Sequence, residues 1–219
     1  MPANTRFGCL QRVFLNGESL LLNHIARLSV LYEDFRIERG ALMAEEGALG
    51  EIDTLGQHYR TMYFIRRSLG TLLEFQGGLT QLVGSPEFKG ARQRLPKEYC
   101  DYIDAANRYF QEHVGRLKGL RNEFGKHLKA NAVKWATSNF SPDVVGKVAW
   151  NSSGADERLY LELHYSNELV AGVISCKLQG VSVYDELNNA LATIFDSYIH
   201  VQTATNSLVH AFLWERFGR

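Results

Sequence analysis

Close cysteine pairs are missing from this chain. Its three cysteines, Cys9, Cys100 and Cys176, are odd in number and far apart. That spacing excludes a disulfide framework and a cysteine-rich zinc site, and leaves buried, reduced thiols as the expectation. Also missing is any apolar run approaching the roughly 18 to 20 residues that a bilayer span requires. The opening MPANTRFGCLQRVF has no sustained apolar stretch followed by a small-residue cleavage site, so a soluble, cytoplasmic protein with no membrane partner is expected. Net charge is absent too: 24 Lys and Arg balance 24 Asp and Glu. Bulk attraction to nucleic acid or to an anionic membrane is therefore not implied, and any polyanion site has to be local.

Familiar catalytic signatures are lacking as well. The chain has no Walker-type glycine loop, no G-x-S-x-G elbow and no dinucleotide fingerprint, which removes support for an NTPase, a serine hydrolase or a Rossmann oxidoreductase. Histidines 24, 58, 113, 164, 200 and 210 show no close ligand pairing and no H-E-x-x-H context, so neither a metal nor another cofactor is expected.

What is present is helical periodicity. Over 18–38, Leu21, Leu22, Ile25, Leu28, Leu31, Tyr32 and Phe35 fall three and four apart, the spacing of one helix face. MAEEGALGEIDTLG is glycine-rich and acidic and reads as a loop. A second helix runs from Leu55 through Tyr59, Met62, Tyr63, Leu69, Leu72 and Leu73, carries Arg60, Arg66 and Arg67, fades through Gly77 and Gly78 and ends before SPEF. Pro86 and Pro96 bracket a short basic piece. Tyr99, Tyr102, Ile103, Ala106, Tyr109, Phe110, Val114 and Leu117 then keep helical register, continuing towards Trp135 with a break at Gly119.

Residues 144–163 change character, because short alternating runs flank NSSGADE, which predicts a small β-hairpin. Helices over 168–177 and 181–215 complete the reading. The expected fold is mainly α: one domain over 1–219, an antiparallel helical bundle with a small β-hairpin insertion near 144–163.

The stretch GLRNEFGKHL, residues 119–128, sets chemistry into this framework. Arg121, Asn122 and His127 supply a fixed cation, an amide and a group titrating near neutrality. Around them, Arg116, Lys118, Lys126, Lys129 and Lys134 face the single acid Glu123, whereas 33–53 carries Glu33, Asp34, Glu38, Glu45, Glu46, Glu51 and Asp53 against Arg36 and Arg39. The neutral total thus conceals a polarised chain. Metal-free RNA cleavage needs a base for the ribose 2′-hydroxyl proton and a cation for the growing phosphate charge. Histidine and arginine fill these roles, and Asn122 can orient the histidine or bind the phosphate. Six positions on a regular helix place Arg121 and His127 about 120° apart around the axis and roughly 9 Å along it. A distortion at Gly119 or Gly125, a long reach by Arg121, or residues from two copies of the chain would bring the two together.

An arginine, a polar residue, a short spacer and a histidine on a helix of an all-α bundle resemble the R-x(4 to 6)-H signature of the HEPN superfamily, the higher eukaryotes and prokaryotes nucleotide-binding domain. RNEFGKH fits it with five intervening residues. YFIRRSLGTLLEF and LRNEFGKH also look like a group of largely uncharacterised bacterial HEPN-like proteins. Where those often show Gly-Gly-His, this chain has Gly125, Lys126 and His127, a departure at the middle position. In helix order the resemblance spans 18–215; residue by residue it rests on the motif and the Arg66/Arg67 helix.

The resemblance implies a helical bundle, frequently dimeric, whose paired motifs form a metal-independent endoribonuclease site in active members. Many such proteins act in toxin–antitoxin or antiphage systems. On this reading Arg121, Asn122 and His127 are catalytic, and Lys126, Lys129, Arg66 and Arg67 bind substrate RNA. A homodimer is expected, with an antitoxin or other protein as a further partner.

The same residues have a structural reading. Arg121 can pair with Glu123, Asn122 can cap a helix after Gly119, and His127 can complete a polar face. Arg66 and Arg67 can form a solvated edge or meet an acidic partner, and Tyr99 to Tyr109 fall at core or interface spacing. The alternative function is therefore a non-catalytic helical module that binds protein, nucleotide or RNA.

Overall fold

The computed structural model describes residues 20–43, 51–124, 148–152, 159–163 and 183–217, with Lys134 and Ser138; side chains are described for 21–43, 60–122, 134, 138, 185 and 187–212. The secondary structure is mainly helical. In chain order the elements are α1 (Leu20–Met43), α2 (Glu51–Gly84), α3 (Pro86–Arg92), α4 (Lys97–Phe124), β1 (Val148–Ser152), β2 (Leu159–Leu163) and α5 (Val183–Phe217). The strands pair antiparallel, with Val148 opposite Leu163, Trp150 opposite Leu161 and Ser152 opposite Leu159. The expected helix over 168–177 lies outside the described residues. No helix among the described residues is long and apolar enough to cross a membrane.

Several boundaries differ from the sequence expectation, each for a physical reason. The first helix continues past 38 to Met43, and the second begins at Glu51, so part of the expected loop at 43–56 is helical. Gly77 and Gly78 do not fade the second helix, which runs to Gly84. Each glycine costs a helix about 1 kcal/mol relative to alanine, but Phe75, Leu79 and Leu82 around them are buried, and packing of that face outweighs propensity. Gly119 likewise lies inside an unbroken α4, flanked by the buried Leu117 and Leu120. The basic piece between the prolines is itself a helix. Ser85 caps α3, its hydroxyl accepting from the Phe88 amide at 3.2 Å, and Pro86 occupies the first turn, where its missing N–H removes no helical bond.

The chain forms two units, the first comprising Met1–Asp34, Glu74–His113 and Tyr198–Arg219 and the second Phe35–Leu73 and Val114–Ser197. In the first, the core is built from Leu22, Ile25 and Leu28 of α1, Phe75, Leu79 and Leu82 of α2, Phe88 of α3, Ile103, Ala106 and Phe110 of α4, and Val201, Ala204 and Leu208 of α5. Polar pairs at the rim link the four long helices. Arg27 Nη1 donates to Gln81 Oε1 at 3.0 Å, Gln111 Nε2 donates to Thr80 Oγ1 at 2.9 Å, and Tyr109 stacks on His200. Because Tyr99 meets His210 while Tyr109 meets His200, α4 and α5 run antiparallel. Arg92 and Asp104 form a two-pronged pair, Nη1 to Oδ1 at 2.8 Å and Nη2 to Oδ2, that holds α3 against α4.

The second unit has a core of Phe35, Ile65, Leu69, Leu72, Leu117, Leu120, Ala190 and Ile194. Small hydroxyl residues share its seam: Thr193 donates to the Asn189 carbonyl and Ser197 to the Thr193 carbonyl, both at 2.7 Å. Bonding back into their own helix gives these buried hydroxyls an acceptor.

The glycine pair in α2 gives a stability test. A Cβ built on Gly77 meets nothing within 4 Å, whereas one on Gly78 meets Leu28 Cδ2 at 3.1 Å. Gly77→Ala is expected to raise unfolding stability by about 0.5–1 kcal/mol through helix propensity. Gly78→Ala is expected to gain less, or to lose, because Leu28 must move. Urea denaturation of both variants checks this; equal gains would show that α1 and α2 do not need the close approach at Gly78.

Candidate functional site

The motif begins in the last described turns of α4. Arg121 is partly buried and Asn122 exposed on a helix unbroken from Lys97 to Phe124. Residues 119–124 therefore do not open a helix but continue one through Gly119, and they extend the apolar register of Leu117 and Leu120. Lys126, His127 and Lys129 lie outside the described residues. Arg66 and Arg67 fall in the same unit as Arg121 and Asn122.

The two α2 arginines have different surroundings. Arg67 Nε lies 3.4 Å from Glu38 Oε1, and the same oxygen accepts a hydrogen bond from Thr71 Oγ1 at 3.0 Å. Glu38 is only 5% exposed, while the Arg67 side chain is 55% exposed. A carboxylate taken out of water needs an opposite charge and donors around it, and Arg67 with Thr71 supplies both. Part of the Arg67 charge is thus held by Glu38. Arg66, half-buried, is the member of the pair whose charge is not drawn to that carboxylate.

Glu38 is the residue that reading the chain by charge missed. Counted with the acids of 33–53, it looks like part of a solvated, partner-binding loop. The helix α1 instead carries residues 33–43, and Glu38 continues the buried series Leu28, Leu31 and Phe35 at steps of three and four. The signal was in the spacing: a carboxylate at a core position predicts a buried counter-charge. Beside it, the Arg39 guanidinium carbon lies 5.4 Å from the Phe195 ring centroid, a cation–π contact between α1 and α5.

The tyrosines of α4 are engaged elsewhere. The Tyr109 ring lies 4.2 Å from His113 at 22° and 3.8 Å from His200 at 15°, so an imidazole covers each face. His113 Nδ1 is also 2.8 Å from the Tyr109 carbonyl oxygen, fixing that ring. A nucleic-acid base could stack on Tyr109 only by displacing an imidazole. Cys100 is buried and unbridged. Burial pushes its thiol above the ordinary range, with nearby Arg92 opposing, so thiolate chemistry at neutral pH is disfavoured. Cys9 and Cys176 lie outside the described residues.

No protein-family model, curated protein or solved structure gives a significant match to this chain. The functional reading therefore rests on the residues themselves.

The ion pair separates the two arginines experimentally. Arg67→Ala is expected to cost about 1–2 kcal/mol, since it strips a buried carboxylate of its counter-charge while water reaches part of the gap. Arg66→Ala should change stability by less than about 0.5 kcal/mol. Denaturant midpoints of the two variants decide the matter. Equal, small effects would mean that Glu38 does not depend on Arg67.

Proposed function

We propose that the chain is a HEPN-type helical protein, with the β1–β2 pair as a small hairpin insertion, that cleaves RNA without a metal. The observation carrying this reading is the signature RNEFGKH, whose Arg121 and Asn122 sit on a long, continuous helix of a mainly α chain. In the proposed reaction His127 takes the proton of a ribose 2′-hydroxyl, whose oxygen attacks the adjacent phosphorus. Arg121 holds the charge that develops on the phosphate oxygens, and Asn122 orients the histidine or the phosphate. The bond to the 5′-oxygen breaks, that oxygen takes a proton, and the products are a 2′,3′-cyclic phosphate and a 5′-hydroxyl end. Lys126, Lys129 and Arg66 would bind the flanking backbone, while Arg67 serves the fold first.

The helical offset between Arg121 and His127 supports a site assembled from two copies of the chain, hence a homodimer. A toxin–antitoxin or antiphage setting, a cytoplasmic location and an antitoxin or other protein partner belong to the same proposal. One observation favours a second reading, a non-catalytic binding module: Glu38 draws on the charge of Arg67, which leaves fewer cations for a phosphate backbone.

Wild-type protein and His127→Ala, incubated in EDTA with a mixed RNA pool whose fragment ends are then sequenced, separate these readings. Loss of general acid–base catalysis should lower the rate by about 10²- to 10⁴-fold, with wild-type products ending in 2′,3′-cyclic phosphate. Undiminished cleavage by the variant would reject His127. RNA retardation in a gel without cleavage by either protein would favour the binding module.

A further inference from the structure

Six large apolar side chains stand exposed among the described residues, and two of them are aromatic, Tyr63 on α2 and Tyr102 on α4. Single exposed aliphatics are ordinary on a protein surface, whereas an exposed ring offers a flat apolar face to a partner. Tyr102 is accounted for, because its hydroxyl donates to Glu98 Oε1 at 3.4 Å and Asp101 adjoins it. Tyr63 is 49% exposed. Its one ring or hydrogen-bond contact among the described residues is with the adjacent Phe64, edge to face at 5.3 Å and 81°. Other tyrosines are engaged: Tyr109 lies between His113 and His200, Tyr99 stacks on His210, and Tyr32 meets Tyr198.

The setting of Tyr63 is basic. Arg60 stands three positions before it, and Arg66 and Arg67 three and four after it, the offsets at which side chains on a helix are surface neighbours. Guanidinium groups therefore border the ring on the turns to either side, about 4.5 to 6 Å away along the axis. Residues 54–73 contain no Asp or Glu. Glu38 reaches α2 from α1, but it takes up Arg67, through Nε at 3.4 Å. Arg66 makes no ion pair among the described residues, so it is the cation of this face least committed to the fold.

A ring bordered by guanidinium groups suits a ligand in which flat bases are joined by phosphates. In a duplex the bases are already stacked on one another, so Tyr63 meets a base face only in a single strand. A second copy of the chain fits less well, since an isologous contact through this face sets its arginines against their own counterparts.

We propose that this face of α2 binds single-stranded nucleic acid, the Tyr63 ring stacking on a base and Arg66 donating to a neighbouring phosphate. Arg60 and the exposed side of Arg67 extend the basic border. The face lies in the unit that holds Arg121 and Asn122, and in naming the strand state of the substrate the proposal rests on the RNA reading above. It makes no use of the 2′-hydroxyl. A DNA strand therefore measures it while escaping the proposed cleavage.

The test is fluorescence anisotropy of the full chain with a labelled single-stranded DNA of about sixteen nucleotides, with the same strand annealed to its complement, and with an abasic strand of equal length. The single strand is expected to bind at least about fivefold more tightly than either. Tyr63→Ala should weaken it by about fivefold to a hundredfold with the salt slope unchanged, and Tyr63→Phe, which keeps the ring, should bind as wild type. Arg66→Ala should reduce the slope of log affinity against log salt by about 0.7, the share of one phosphate, and Arg66→Lys should restore it. Circular dichroism establishes that each variant keeps its helices, and light scattering gives its assembly mass. Absence of binding, equal affinity for the duplex or the abasic strand, or undiminished binding to a folded Tyr63→Ala variant would each overturn the proposal. Binding lost together with assembly mass would overturn it too, assigning Tyr63 to a contact between copies. Binding of the DNA strand without cleavage of RNA would keep this proposal and remove the nuclease, so the two fail separately.

Discussion

A helix with apolar side chains three and four apart must remove one face from water, and the rest of the structure follows from that requirement. On α5 the buried positions Ala190, Ile194, Ser197, Val201, Ala204, Leu208 and Ala211 alternate steps of four and three, the spacing of a helix that meets neighbours nearly parallel to itself. Alanine and serine at these places keep the seam shallow, and Gly78 does the same for α2 beside Leu28. Bulk comes from the facing helices, where Phe75 and Phe110 pack with ring centroids 5.7 Å apart. Large residues against small ones fill the interior without forcing the backbones apart.

The same seam dictates how charge can be used. Glu38 stands where α1 would ordinarily place another leucine, and Arg67 and Thr71 reach one of its carboxylate oxygens from α2. That lock fixes α2 against α1 within the second unit and assigns Arg67 a structural task. A charge that neutralises a buried carboxylate contributes less to a potential outside the protein, so the basic residues along 113–134 carry the argument for a polyanion. Electrostatic reading by counting charges treats Arg66 and Arg67 as equivalents; burial of their neighbours makes them different.

Much of the helical framework was legible because long periodic runs constrain it. The register from Tyr99 to Leu117 placed α4, and Leu187, Leu191, Ile194, Tyr198, Val201 and Leu208 placed α5 to within two residues of its ends. What misled was local punctuation. Gly77, Gly78 and Gly119 read as breaks, yet each is flanked by buried apolar residues whose packing exceeds the roughly 1 kcal/mol cost of a helical glycine. The short α3 was signalled by Ser85, Pro86 and Glu87, a cap, a first-turn proline and an early acid, but seven residues are too few to show a period. Tertiary pairings such as Glu38 with Arg67 are written across 29 positions of sequence and become visible only when a carboxylate is noticed in an apolar register. Of the candidate site, α4 could be read as the carrier of Arg121 and Asn122, while the company each arginine keeps could not.

The second unit carries the arginine and amide of the motif together with Arg66, groups suited to negative charge, and in the same unit Arg67 is engaged by the buried Glu38. Adjacent positions on a helix lie about 100° apart around its axis, so two neighbouring arginines cannot both serve one buried carboxylate from the same direction. Arg67 and Glu38 are therefore read through the fold, and Arg66 through what it can meet outside it. A cation bound to a buried carboxylate is removed from the surface by the same contact that stabilises the fold, which is why a count of charges overstates what this helix offers a polyanion.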